Sequence, residues 1–218
     1  MALSTFSELK ASIADWLNRD DLTDQIPDFI TLCEASMQRL LTTRDMEATT
    51  TLATVANTAT VAVPTGFLGV RRLRIYYDAT WHDVQDVSLS PSLWDGVTDT
   101  RPTVYSIVGN TFSFRPIPNG VYSLSLDYWA KFTPLSDSNT SNWILTSNPD
   151  AYLFGSLLAA APFLGGDSRT GMWKDGFMEA INQVNEENVT IQFGKTKLRP
   201  DPGLTSRRGI NIYTGRPW

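Results

Sequence analysis

The hydrophobic period of this chain changes twice, and that double change limits its fold more than any other feature. Phe6, Leu9, Ile13, Trp16 and Leu17 recur at the i, i+3, i+4 spacing of an amphipathic helix. Thr5 and Glu8 stand at capping-box spacing before them, and the helix is expected to end near Arg19, ahead of Asp20-Asp21. A second helix follows. Pro27 suits its first turn, where a missing N–H costs nothing, and Asp28 adds negative charge at the positive end of the dipole. Ile26, Phe29, Ile30, Cys33, Met37, Leu40 and Leu41 form its apolar stripe, in which Cys33 reads as a small core residue.

Near Arg44 the period falls to two. From about 46 to 133 the chain is rich in Thr, Val, Tyr and Phe, with turn residues every eight to twelve positions or so. Leu73, Ile75 and Tyr77 alternate with Arg72, Arg74 and Tyr76, and Tyr122, Leu124, Leu126 and Tyr128 alternate with Ser123, Ser125 and Asp127. Such strands keep one face in a core and one in water. Gly109-Asn110 between two such runs is a hairpin signal, and Ser90-Pro91 is expected to start a short helix.

Helical signals return at Asn148-Pro149-Asp150. Tyr152 to Leu164 is apolar nearly all round, so this helix is expected to be central. Gly165-Gly166 ends it. Asp167 can cap a last helix with Trp173, Phe177, Ala180, Ile181, Val184 and Ile191 on one face. Neither terminal pair of helices buries much by itself. The spacing therefore predicts an α+β fold. N- and C-terminal helical pairs (1–45 and 146–193) form a four-helix bundle, and an antiparallel β domain (46–145) is inserted between helices two and three. Trp16, Ile30, Leu157, Trp173 and Phe177 are the expected bundle core. Residues 194–218 form an extended C-terminal arm.

Charge separates that arm from the rest. The chain carries 18 Lys+Arg against 23 Asp+Glu, a net of -5. Residues 195–218 hold Lys195, Lys197, Arg199, Arg207, Arg208 and Arg216 against Asp201, six against one, or +5; the remainder holds twelve against 22, or -10. An acidic body does not read as a generic DNA-coating surface. The arm has three prolines, three glycines beyond Gly194 and no sustained periodicity. Ordering it costs on the order of 1–2 kcal/mol per residue in backbone entropy, so it is expected to be held only by a partner. Extended, it reaches roughly 80 Å, beyond a body about 45 Å across.

Catalytic patterns are weak. One Cys and one His exclude an internal disulfide and leave little for a Cys/His zinc site. His82, in Trp81-His82-Asp83, has no second His and no Gly-x-Ser-x-Gly elbow to work with. Gly194-Lys195-Thr196 resembles the end of a phosphate loop, but Val189 stands where that motif needs glycine. The acidic pairs Asp20-Asp21, Asp83 with Asp86, and Glu186-Glu187 read as solvated turns and helix faces rather than a hydrolase dyad. Arg71, Arg72, Arg74, Tyr76 and Tyr77 could stack on single-stranded nucleic acid or form a strand with a polar face, but Trp, Tyr and Arg are enriched in protein interfaces, and an interface is the favoured reading. No basic segment followed by an apolar run opens the chain, and the longest apolar stretch is short of the ~20 residues of a membrane span. The expected product is a soluble protein, intracellular at synthesis, with no cofactor, metal or catalytic residue.

Several stretches together resemble a known family. Ile13-Ala14-Asp15-Trp16-Leu17-Asn18-Arg19-Asp20-Asp21-Leu22 runs into Ile26-Pro27-Asp28-Phe29-Ile30, then Glu34 and Arg39. Later come Pro149-Asp150-Ala151-Tyr152-Leu153-Phe154-Gly155-Ser156-Leu157-Leu158, Ala160 to Leu164 and Trp173. Their order, with a β segment between them, resembles the head-to-tail adaptor (connector) proteins of short-tailed phages. The resemblance implies a structural virion protein, not an enzyme. It implies a ring, usually of twelve subunits, below the portal protein, whose bundle packs against neighbours and portal. The arm, with Lys195, Lys197, Arg199, Arg207, Arg208, Arg216 and Trp218, would bind portal or neighbouring subunits. The β domain would meet the tail nozzle and fibres. Genomic DNA would pass through the lumen without specific binding during ejection, and the protein would be a monomer in the host cytoplasm before assembly. Another virion ring protein, such as a tail-tube gatekeeper, is the alternative, followed by a nucleic-acid binder or an enzyme.

Overall fold

The computed structural model describes residues 3–19, 21–87 and 101–193, with backbone alone for 189–193. The arm residues and the helix expected at Ser90-Pro91 lie outside the described residues. Within them the fold is α+β, with five α-helices and two four-stranded sheets.

Helix α1 spans Phe6–Leu17 and starts with the reciprocal cap that its sequence signals. Glu8 N–H donates to Thr5 Oγ1 (3.3 Å), and Thr5 N–H donates to Glu8 Oε2 (3.0 Å). Asn18 ends it at φ 52, a left-handed position that Asn tolerates. Helix α2 spans Ile26–Leu40, with Pro27 in its first turn. Helix α3 (Trp143–Ser147) is a single turn and a bit, which the sequence pattern did not signal; Asn142 Oδ1 caps it by accepting from Leu145 N–H at 3.0 Å. Helix α4 spans Pro149–Ala160. It stops short of Leu164 because Pro162 has no N–H for the next helical bond, and residues Ala161–Leu164 tighten into a 3₁₀ turn. Helix α5 runs from Thr170 to Phe193.

Helix α4 is the hub. It touches α1, α2, α3 and α5, while α1 also touches α2. Its closest approaches are made by glycine. A Cβ on Gly155 would lie 2.8 Å from the Phe177 ring of α5 and would overlap Cys33 Sγ of α2. The reverse packing occurs at Gly176 of α5, where a Cβ would lie 2.9 Å from the Phe154 ring of α4. The two helices thus exchange an aromatic ring for a glycine in both directions.

Of the expected core residues, Ile30, Leu157, Trp173 and Phe177 are buried together in one cluster. Trp16 is a correction: it is 40% exposed and meets the cluster only through a T-shaped contact with Phe154 at 6.0 Å. The inward line of α1 runs through Phe6, Leu9, Ile13 and Leu17, and Trp16 stands about 100° from Leu17 around the helix. Phe132, Leu135, Ile144 and Leu145 also belong to this cluster, so the chain is back in the helical core before α4 begins.

The strands are β1 (Glu47–Ala53), β2 (Thr60–Ala62), β3 (Phe67–Tyr77), β4 (Thr80–Asp83), β5 (Gln85–Asp86), β6 (Val104–Val108), β7 (Thr111–Arg115) and β8 (Ser123–Ala130). One sheet has the order β1-β8-β3-β4 and the other β2-β7-β6-β5. Leu73, Ile75, Leu124 and Leu126 of the first share a second hydrophobic cluster with Tyr105, Phe112 and Phe114 of the other. Phe67 and Phe112 meet edge to face between the sheets at 5.7 Å. The hairpin expected at Gly109-Asn110 joins β6 to β7, with Gly109 at φ 58. One pair departs from the expected antiparallel pattern: β5 lies parallel to β6. The chain crosses from one sheet to the other at Val84, so it meets the second sheet at an edge and returns through a long connection, as a parallel pair requires. Strands β1 and β8 are neighbours, so both ends of the β segment leave side by side toward the helices.

Candidate assembly surfaces

The helical core is tied together by a buried carboxylate. Glu34 stands four residues after Ile30 and three before Met37, on the apolar stripe of α2, and is 6% exposed. Its Oε1 accepts from Leu135 N–H (2.7 Å) and from Tyr152 Oη (2.9 Å). Tyr152 Oη in turn accepts from Asn142 Nδ2 at 2.6 Å, and Asn142 caps α3. The network therefore links α2, α4, α3 and the segment before α3. Burial raises the Glu34 carboxyl above its ordinary value, against the lowering effect of its two donors. Burial likewise pushes the Tyr152 phenol up. The Cys33 thiol, buried beside this network, is pushed up to about 12, which makes it a packing residue and not a nucleophile. The signal for Glu34 was present in the sequence as a charge at a stripe position. Its partners come from segments over 100 residues away and carry no such mark.

Above Gly155 the packing opens into a groove of about 240 Å³ between α2 and α5. Leu158 and Ala159 of α4 line its floor and Leu32, Ser36 and Arg39 of α2 line one wall. Leu32 is 55% exposed, and Phe163 and Met172 are similarly uncovered elsewhere on the helical core. A second cleft, of about 430 Å³, lies where α5 passes the connection from α2 to β1, between Arg44, Asp45, Trp143 and Glu187. There Asn188 Oδ1 accepts from Arg44 N–H (2.9 Å) and its Nδ2 donates to Thr42 O (3.1 Å), fixing α5 to the start of the β segment.

The sandwich presents a different surface. Arg71, Arg72 and Arg74, which could have gripped phosphates, face carboxylates. Arg72 makes a two-pronged pair with Asp83 (2.7 and 3.2 Å), Arg71 pairs with Glu47, and Arg74 lies 3.9 Å from Asp127 and donates to Ser125 Oγ. The Arg72 guanidinium holds the Asp83 carboxyl below its ordinary range. Tyr76 and Trp81 form an exposed aromatic pair at 5.1 Å, with Arg74 over Trp81 and Arg101 over Tyr77. His82 sits in β4, 6.3 Å from the Tyr77 ring. No group of three or more His, Cys, Asp or Glu that could hold a metal occurs among the described residues. No helix among them is long and apolar enough to cross a membrane.

Two hydrophobic cores leave apolar and aromatic side chains uncovered on both, side chains of the kind that protein interfaces use. The chain belongs to the SU10 adaptor protein family, which matches residues 4–198 and so takes in both cores. It is a phage head-to-tail adaptor, a structural component of the virion that joins portal and tail components. No curated protein matches the chain.

Proposed function

We propose that this adaptor forms the ring below the portal of a short-tailed phage, extends its DNA channel and carries the tail nozzle and fibres. The observation that carries the reading is the family match across the helical core and the sandwich together. In this reading residues 1–45 and 146–193 form a bundle that meets portal and neighbouring subunits, and residues 46–145 form an inserted domain directed toward the tail. The ring has twelve copies and assembles from monomers made in the host cytoplasm. The arm, 194–218, docks on the portal through Lys195, Lys197, Arg199, Arg207, Arg208, Arg216 and Trp218. Arg pairs in two-pronged fashion with carboxylates, and Trp anchors in pockets. The acidic body supports passage of DNA, because like charge weakens phosphate contact. Deleting residues 195–218 is expected to abolish co-purification with the portal while the body keeps its circular dichroism spectrum. Undiminished portal binding by the folded truncation would sink this reading.

A further inference from the structure

Among the described residues, strand β1 is an open edge of its sheet. All seven of its residues pair with β8 in continuous register, and no strand lies on its other side among the described residues. An open edge presents a row of unpaired N–H and C=O groups, and proteins usually blunt it with Lys, Pro, a bulge or a very short strand. Strand β1 has none of these; its one charge is Glu47. No β1 residue is buried. Glu47, Thr49, Thr51 and Ala53 are exposed, while Ala48 and Leu52 are half-buried at the margin of the sandwich core. Among the described residues, no strand beyond β1 covers that margin.

The sequence holds a run of matching pattern. Ile210-Asn211-Ile212-Tyr213-Thr214 lies between Gly209 and Gly215 in the arm. Its composition is that of a strand, and its alternation sets Ile210 and Ile212 on one face and Asn211 and Tyr213 on the other. We propose that residues 210–214 of the arm add to the free edge of β1 as a fifth strand of its sheet. The isoleucine face then extends the core over Ala48 and Leu52, and Asn211 and Tyr213 lie beside Thr49 and Thr51. Arg208 and Arg216 stand two residues outside the run on either side, so a cation falls near Glu47 in either strand direction.

The chain is placed to do this. Asn188 of α5 is bonded to Arg44, three residues before β1 begins. The seventeen residues from Phe193 to Ile210 reach at most about 55–60 Å, whereas β1 is about 23 Å long. The segment can therefore arrive from the same chain or from an adjacent copy. The source changes the concentration dependence and not the pairing. The inference deepens the assembly role given to the arm but does not need the portal.

Hydrogen exchange on the β1 amides tests it, using the full chain, the chain ending at residue 205, and that truncation with a peptide of residues 206–218 added at increasing concentration. Removing the segment should speed exchange of the outward β1 amides roughly tenfold or more, and the peptide should restore protection. A peptide carrying Ile212→Pro keeps every basic residue and should restore none, because proline cannot donate to the ladder. Equal β1 exchange in all three preparations, or equal protection by the Ile212→Pro peptide, overturns the proposal. Full-length protein with Ile212→Pro separates it from the portal reading. Loss of β1 protection with portal binding kept supports this inference. Portal binding that fails while β1 stays protected overturns this inference and leaves the portal reading standing.

Discussion

Gly155 offers a sharp test of how the helical core is packed. In an exposed helix interior, Gly→Ala gains about 1 kcal/mol from propensity. At position 155 the added methyl would overlap Cys33 Sγ and come within 2.8 and 2.9 Å of two Phe177 ring carbons. Carbon atoms are at ease at roughly 3.5–4.0 Å. The ring must therefore retreat by close to 1 Å from its packed position, where Phe177 is 4% exposed and Cys33 2%. Overpacking of this kind costs typically about 1–3 kcal/mol, and contact from two helices at once argues for the upper end. The net expectation for Gly155→Ala is a loss of about 2 kcal/mol, or very roughly 4–8 °C in melting temperature for a chain this long. Urea unfolding followed by tryptophan fluorescence, with Trp173 buried in the same cluster, reads it directly. Gly171→Ala, near the start of α5 with no atom within 4 Å of the new Cβ, should instead be neutral or stabilising by up to about 1 kcal/mol. The double variant Cys33→Ala/Gly155→Ala should recover part of the loss, with a coupling of about 1 kcal/mol or more. A Gly155→Ala protein as stable as the parent, or strict additivity with Cys33→Ala, would refute the packing argument.

Two further expectations concern the turn and the buried acid. The β3–β4 hairpin turns through Asp78 (φ 51) and Ala79 (φ 57), and an alanine in the left-handed region is strained. Ala79→Gly should raise stability by about 0.5–1 kcal/mol after the entropic penalty of glycine, and a lower urea midpoint would contradict this. Glu34 titrates higher in the folded chain than its unfolded value of about 4.3. Over that window the folded state holds more protons than the unfolded one. Stability should therefore be lost as pH rises from about 4.3 through the folded value, and be level above it. Glu34→Gln keeps an Oε1 able to accept both existing bonds and cannot titrate. Its stability relative to the parent should rise with pH across this window, and parallel urea midpoints from pH 4 to 8 would refute the assignment.

The helices were legible because their burial follows from spacing alone. The inward lines of α1 and α2, the cap at Thr5 and Glu8, and the nearly all-round apolar α4 required no tertiary knowledge. Trp16 misled because an aromatic next to Leu17 is counted with the stripe, whereas α1 turns one narrow line, Phe6, Leu9, Ile13 and Leu17, onto the core. Pro162 was visible, yet its effect had to be weighed against a run of apolar residues that seemed to continue the helix. The strands were legible as strands, but their order was not. Pairing β1 with β8 joins residues 70 to 82 positions apart, and the parallel β5–β6 pair depends on where the chain changes sheets. The Glu34 network failed for the same reason: a carboxylate on a stripe announces a partner without naming it.

The arginines of β3 sharpen what the charge division means. In sequence, beside Tyr76 and Tyr77, they offered stacking on single-stranded nucleic acid as one reading. Folded, each has an acidic neighbour on β1, β4 or β8. Exposed pairs of this kind are worth only about 0–1 kcal/mol, so they are not a strong lock. Their consequence is for polyanions. The salt-dependent affinity for nucleic acid grows with the number of cations free to displace counterions. A surface whose cations already face carboxylates releases few, and it does so in a body whose net charge is negative. Six of the chain's 18 basic residues fall after residue 194, against a single acid there. Under the function proposed above, a separation of this kind would suit a folded body that DNA passes and a basic segment that serves a protein surface.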